Sequence, residues 1–199
     1  MTTATFDEKT DEFIIHTPTL KAAKWWPGDL GQFSTHAIVF ARCKIGENDF
    51  GVLPYLVQIR STEDFKPLKG VQCGDMGPKM GYNSKNNGWC TFDQVRIPRD
   101  QMLMKYTKVD RDGSFSVEGD TRALYSVMMS IRMMMFRHSA GYVLRGCLIA
   151  LRYSVCRRQF KNTEGSKQET KLLDYQTQQE KLLPLVGLGY GMMLADDIV

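Results

Sequence analysis

The sequence is poor in metal-holding residues: three histidines and five cysteines in 199 residues. The histidines are scattered and no two cysteines form Cys-x-x-Cys, which argues against a zinc site. An odd number of thiols cannot pair completely within one chain, and free thiols point to a reducing compartment. No run of about 18 apolar residues is present, so no membrane span is expected. Excess charge of one sign is slight, at +4. That leaves room for an anionic ligand but supplies no nucleic-acid-binding tail. The N-terminus has neither a basic start nor an apolar run, so no secretory signal is expected. Gly-x-Gly-x-x-Gly, a Walker loop, His-Glu-x-x-His and Gly-x-Ser-x-Gly are all missing. Proline is absent from about residue 122 to 160, which permits one long helix.

What is present divides in two. Residues 1–119 read as strands and turns. Glu12–His16 is β-prone and closed by Thr17-Pro18. Ala37–Ala41 is nearly continuous in apolar residues, as a strand buried on both faces would be. Val52–Ile59 is a further strand, and its Pro54 implies an edge or a bulge. Trp89–Val95 alternates as one half-buried strand. Turn clusters lie at 44–49, 74–78 and 83–88, and strands at this spacing suggest a sandwich or a barrel. Asp110–Gly113 is a turn, and Gly119-Asp120-Thr121 offers a helix N-cap. Beyond it Leu124, Val127, Met128, Ile131, Met135, Leu144, Leu148 and Leu151 recur at three- and four-residue steps. They predict a helix of about 35–40 residues, roughly 55 Å long. The methionines at 128, 129, 133, 134 and 135 read as core filler. Residues 162–170 form a polar loop, and a second helix starts near Lys171, with a kink expected at Pro184. The predicted class is α+β: an antiparallel β-sandwich or barrel-like domain (1–119), then the first long helices of an incomplete helical bundle (120–199). The last residues, Asp196–Val199, stop inside an apolar helical pattern and carry no Ser-Lys-Leu address, so the chain is expected to be a piece of something longer.

Two of only three tryptophans stand together in Lys24-Trp25-Trp26-Pro27-Gly28-Asp29-Leu30-Gly31. Such a turn brings bare backbone close to a flat ligand. The stretch, with Thr35–Val39 after it, resembles the flavin-facing segment of peroxisomal acyl-CoA oxidases. Two further blocks resemble the wider acyl-CoA dehydrogenase and oxidase superfamily: Gly74–Tyr82 with Phe92–Pro98, and Ile149–Phe160. Asp174–Gln179 with Lys181-Leu182 resembles an oxidase signature. The resemblance covers essentially the whole chain.

The resemblance implies FAD as cofactor, fatty acyl-CoA and dioxygen as substrates, a homodimer through the helical domain, and a peroxisomal location. It places Trp26, Pro27 and Gly28 at the isoalloxazine, with Pro-Gly where related dehydrogenases carry Ile-Thr. Arg157 takes the position that holds the flavin pyrophosphate, Phe160 the adenine end, and Gln176 a cofactor or neighbouring-subunit contact. Arg132, 21 residues before Tyr153, falls where the family lines its acyl-CoA site. Two departures are Asp29 and Lys161, each where the family has glycine. The implied reaction is α,β-dehydrogenation of fatty acyl-CoA to 2-trans-enoyl-CoA with hydrogen peroxide as by-product. The alternatives are a dehydrogenase that uses an electron-transfer partner, against which Pro27-Gly28 argues, and a non-catalytic flavin- or acyl-CoA-binding protein. Neither the Thr-Glu-x-Gly-His-Gly-Thr segment nor the Phe-Glu-Gly-Glu-Asn catalytic motif is found. No catalytic residue is therefore assigned, no metal is implied, and the 199-residue chain alone is expected to be inactive.

Overall fold

In the computed structural model, residues 1–120, 122–161, 165 and 167–196 are described. The chain separates into two units, Met1–Thr121 and Arg122–Val199.

The first unit is built from alternation. In β1 (Thr3–Asp7) and β2 (Glu12–His16) every second residue is buried, and the two pair antiparallel, Thr5 opposite Ile14. After the two-residue β3 (Lys24–Trp25), the long hairpin of β4 (His36–Ile45) and β5 (Asn48–Gln58) follows. β6 (Val71–Asp75), β7 (Gly88–Phe92) and β8 (Val95–Pro98) come next. A short ribbon of β9 (Thr107–Val109) and β10 (Phe115–Val117) closes the unit, its turn supplied by Asp110–Gly113 with Gly113 at φ +79°. The strands form a five-stranded sheet in the order β5-β4-β1-β2-β8 and a three-stranded sheet in the order β3-β7-β6. Pairing is antiparallel except for β1 with β4, which is parallel. Residues from both larger sheets join one core cluster, from Phe13, Tyr55 and Val57 on one side to Val71, Cys90 and Phe92 on the other. Phe13 stands at its centre, with ring centroids 5.1 Å from Phe6 and 5.0 Å from Tyr55. Burying such a ring contributes about 2–3 kcal/mol.

Two expectations about this unit need correction. Trp89–Val95 is not one strand. The chain turns at Asp93-Gln94, where Gln94 takes φ +53°, and passes from the small sheet into the large one. Ala37–Ala41 is not buried on both faces: Val39 and Ala41 face the core, while Ile38 and Phe40 are exposed. Among the described residues that outer face is left about half open, so only the inward residues lose contact with water. The expected edge at Pro54 is observed, because β5 is the outermost strand of its sheet.

The second unit is a helix pair. α1 (Ala123–Cys156) runs 34 residues without proline, and α2 (Gln176–Asp196) continues through Pro184. A short 3-10 turn, Leu172–Asp174, precedes α2. Gln178 Nε2 donates to Ser154 Oγ at 3.0 Å. A Cβ on Gly189 would fall 2.7 Å from a Leu144 methyl. The helices are therefore antiparallel, with Gly189 at the close approach. Arg122 takes the N-cap place of α1. Thr121, expected there, lies outside the described residues, as do the side chains of Leu124 and Val127 and residues 162–164 and 166 of the expected polar loop. The methionine cluster is not core within this unit, since Met128, Met129, Met134 and Met135 are all at least half exposed. Only one stripe of α1 meets α2, and apolar residues continue around the rest of the helix, a pattern suited to burial on several sides.

Candidate functional site

β3 stops before Trp26, which takes φ +88°, a region residues with a Cβ rarely enter. Three hydrogen bonds hold it there. Trp26 N–H donates to the Gly88 carbonyl at 3.0 Å and Gly88 N–H to the Pro27 carbonyl at 3.1 Å. Asn87 Nδ2 donates to the Trp26 carbonyl at 2.7 Å. Asn87 is buried. A Cβ on Gly88 would lie against the Gly31 backbone and 2.7 Å from the Gly74 carbonyl oxygen, so only glycine fits. The far end of the turn is held by Arg60, buried to 3 % exposure, whose guanidinium donates to the carbonyls of Gly31 at 2.7 Å and Ser34 at 3.0 Å. Asp29, at φ +61°, is half exposed and pairs with Lys85 Nζ at 2.5 Å. Its charge is thus matched by a lysine from the 79–87 loop.

A cavity of about 320 Å³ opens beside this turn. Pro27 and Gly28 form part of its rim, Val39, Cys90 and Phe92 its buried wall, and Ile38 and Phe40 its apolar flank. Lys24 reaches across it to donate from Nζ to the Phe40 carbonyl at 2.6 Å, and burial pulls its ammonium below the ordinary lysine value. Burial pushes the Cys90 thiol up to about 12. No lining residue is a carboxylate. Trp25 and Trp26, 63 % and 56 % exposed, do not line the cavity. Trp25 instead pairs with Trp89 across β3 and β7, on the sheet face opposite Lys24. A larger groove of about 860 Å³ is lined by Gln58, Gly70, Asp93 and Arg96 among others. It shares no residue with the turn, and its Arg96 is taken up by Asp7, Thr10 and Glu12.

In the second unit the connection between the helices gathers three of the expected residues. Arg157 ends α1 with its N–H on the Tyr153 carbonyl at 2.8 Å, and its own carbonyl accepts from Leu172 N–H at 2.9 Å. Its guanidinium bonds Gln159 Oε1 at 3.0 Å and is otherwise exposed among the described residues. Phe160, at φ +54°, is 71 % exposed. Gln176 opens α2 and donates to Glu180 Oε1 at 3.1 Å. Tyr175 Oη donates to the Gln159 carbonyl at 2.7 Å, and Gln179 Nε2 to the Leu173 carbonyl at 2.9 Å. Much of the Asp174–Gln179 signature is therefore engaged in holding this connection. Arg132 stands apart, exposed on α1 and about 37 Å before Arg157 at ~1.5 Å per residue.

The rim at Gly28 and the apolar cavity fit the edge of a flat heteroaromatic ring, because no side chain stands between ring and backbone. The exposed guanidinium of Arg157 fits a diphosphate. Asn87, Gly88 and Arg60 were missed as site-builders. Asn87-Gly88 was visible as a turn signal, but nothing in the sequence identifies Trp26 as its partner. Arg60 carries no local signal at all.

Residues 125–199 match the family model for the acyl-CoA oxidase C-alpha1 domain. The chain is 49 % identical over 194 residues to the Arabidopsis thaliana peroxisomal acyl-coenzyme A oxidase 1, covering 95 % of this chain and 29 % of that protein. The solved structure of Arabidopsis thaliana acyl-CoA oxidase 1 superposes with a TM-score of 0.93 at 46 % identity, over 98 % of this chain and 30 % of that one. The Caenorhabditis elegans acyl-CoA oxidase-2, solved bound with FAD, ascaroside-CoA and ATP, gives 0.90 at 39 % identity, over 98 % and 29 %. The chain thus spans somewhat under a third of the length of the relatives it matches. By sequence, by fold and by the helical segment its own family model recognises, the chain belongs to the acyl-CoA oxidase family.

Proposed function

We propose that this chain supplies the flavin-facing β-unit and the first helices of a peroxisomal, homodimeric acyl-CoA oxidase. The reaction converts a fatty acyl-CoA and dioxygen into 2-trans-enoyl-CoA and hydrogen peroxide. FAD, when bound, would supply the redox chemistry, hydride acceptance and dioxygen reduction. The residues of this chain orient and hold. Gly28 offers bare backbone at the cavity rim, so a ring edge can approach without meeting a Cβ. Pro27 and the bonds from Asn87 and Gly88 fix that rim before any ligand arrives. Trp26 lies beside it as an exposed aromatic surface. Arg157 offers a forked guanidinium to the cofactor's pyrophosphate, with Phe160 in the same interhelical connection and Gln176 at its far end. Arg132 offers positive charge to the polyanionic substrate. No carboxylate lines the cavity, so no residue of this chain is assigned to take the α-proton.

The observation that carries this reading is the Trp26–Gly31 turn, whose rim glycine borders an apolar cavity. The test is Gly28→Trp in a complete oxidase carrying this segment. A Cβ at Gly28 would meet the Lys85 side chain at 2.6 Å, and that flexible side chain can move aside. The variant should keep its thermal midpoint and lose the yellow flavin absorbance and acyl-CoA-dependent peroxide formation. Normal absorbance and activity would remove Gly28 from the site. The 199-residue chain, given FAD and acyl-CoA, should form no peroxide; sustained substrate-dependent peroxide would mean that a base has been overlooked.

A further inference from the structure

Cys73 and Cys90 stand directly opposite each other on β6 and β7. The ladder bonds identify the kind of pair. Met76 N–H donates to the Asn87 carbonyl at 3.1 Å and Asp93 N–H to the Gly70 carbonyl at 2.7 Å. In that register the hydrogen-bonded pairs are Gly70/Asp93, Gln72/Thr91, Gly74/Trp89 and Met76/Asn87. Cys73/Cys90 falls between them, as a non-hydrogen-bonded pair. Such pairs bring their Cα atoms to about 4.5 Å with side chains on one face, inside the ~4.4–6.8 Å that a disulfide spans. Both side chains turn to the core: Cys90 is 1 % exposed, and Cys73 packs partly buried against the same cluster. All five thiols are free, and only these two face each other across a ladder. Lys24 continues the row, paired with Cys90 from β3.

We propose that Cys73 and Cys90 form a dithiol that hydrogen peroxide oxidises to a cross-strand disulfide. The more accessible Cys73 sulfur attacks the peroxide O–O bond, giving a sulfenic acid and one water. The Cys90 sulfur then displaces the sulfenic oxygen, which leaves as a second water, and the S–S bond forms. The two thiols together lose two protons and two electrons to one peroxide. The positive charges of Lys24 and Arg60 favour the Cys90 thiolate and that of Arg60 the Cys73 thiolate, but burial outweighs them and holds both thiols above their ordinary value. The crosslink therefore accumulates under sustained peroxide and forms faster as pH rises. The dithiol rests on strand register alone. That the protein's own product is the oxidant rests on the function proposed above.

The test uses the 199-residue chain with Cys156→Ser, which removes the exposed thiol. Reduced protein is exposed to hydrogen peroxide, alkylated and digested with trypsin without reductant. Mass spectrometry should find Gly70–Lys79 joined to Asn86–Arg96, two hydrogens lighter than the sum of the two peptides. The species should vanish with dithiothreitol, form faster at higher pH and be absent in Cys73→Ser. Cys73 carried on to sulfinic acid with Cys90 still alkylatable would overturn the pairing, and so would both thiols surviving a dose that oxidises Cys147. The parent protein suffices for this mapping even if the Cys73→Ser variant folds poorly. A second arm follows the crosslink in a complete oxidase turning over acyl-CoA, with and without catalase. Suppression by catalase supports the coupling to turnover. A crosslink with added peroxide and none during turnover sustains the dithiol and overturns that coupling.

Discussion

Asn87→Ala tests the architecture of the Trp26 turn. The substitution removes the 2.7 Å bond from Asn87 Nδ2 to the Trp26 carbonyl. A hydrogen bond of this kind contributes about 1 kcal/mol net, and a carbonyl left buried without a donor costs about 1–3 kcal/mol. The bond is part-buried and Trp26 is 56 % exposed, so the lower part of that range applies. The expected loss is about 1.5 kcal/mol, roughly tenfold in the unfolding constant. Holding Trp26 at φ +88° itself costs on the order of 1–3 kcal/mol, a strain the three bonds now offset. With one bond gone, Trp26 can relax toward negative φ and carry the Pro27-Gly28 rim with it. All three tryptophans lie in the first unit, so urea unfolding followed by tryptophan fluorescence reports on that unit alone. Trp26→Gly, which removes the strain, provides the partner for a double-mutant cycle. The cost of Asn87→Ala should shrink in that background. An unchanged urea midpoint for Asn87→Ala, or a cost undiminished beside Trp26→Gly, would refute the account of a strained residue pinned from Asn87.

Gly88→Ala places a methyl against the Gly31 backbone and the Gly74 carbonyl; overpacking against rigid backbone should cost about 3 kcal/mol in the same unfolding assay. Arg157→Ala and Arg158→Ala should separate ligand from fold. Arg158 Nη1 bonds the Glu169 carbonyl at 2.8 Å, so its loss should lower the thermal midpoint. Arg157→Ala should leave the midpoint alone and weaken flavin retention in a complete oxidase by about 1.5–3 kcal/mol. Equal flavin dissociation constants for the two variants would count against the assignment. Arg99 Nε donates to Asp11 Oδ1 at 2.6 Å and holds that carboxyl below its ordinary 3.8. A carboxyl lowered on folding stabilises above the unfolded value and loses that contribution as pH falls through the folded one. The gap in urea midpoint between the parent and Arg99→Gln should therefore be full at pH 6 and narrow in strongly acidic solution to what the Arg99 Nη1 bond to the Val109 carbonyl contributes; a gap independent of pH would exclude Asp11 as a source.

Local pattern carried the strands whose period is clean. Glu12–His16 was readable because Phe13 and Ile15 alternate with polar neighbours, and Pro54 announced an edge because a central strand cannot spare an N–H. The split at Asp93-Gln94 was hidden, since Val95 continues the alternation of Trp89–Phe92 in sequence while the chain changes sheets in space. The outer face of β4 was misread for the opposite reason: an unbroken apolar run cannot say which half meets the core of its own unit. At the candidate site, Pro27-Gly28 was legible as a turn and its family resemblance gave it a role. The partners that fix it, Asn87, Gly88 and Arg60, come from 26 to 62 residues away in the contacts they make, and no window along the chain brings them together.

The parallel pairing of β1 with β4 has a consequence for synthesis on the ribosome. β1 and β2 leave the ribosome before the strands that flank them and can form their hairpin at once, yet both outer edges of that hairpin stay open. One edge waits for Arg42–Lys44 to arrive alongside Thr3–Thr5. The other waits until Val95–Pro98 has been made and can cover Ile14 and its neighbours. Until about eighty residues beyond β2 have left the exit tunnel, the nascent chain carries unpaired strand edges beside Phe13 and Ile15, the state most open to pairing with another chain. Slowing translation between β2 and β8 would lengthen that interval, and the yield of soluble protein should fall with it.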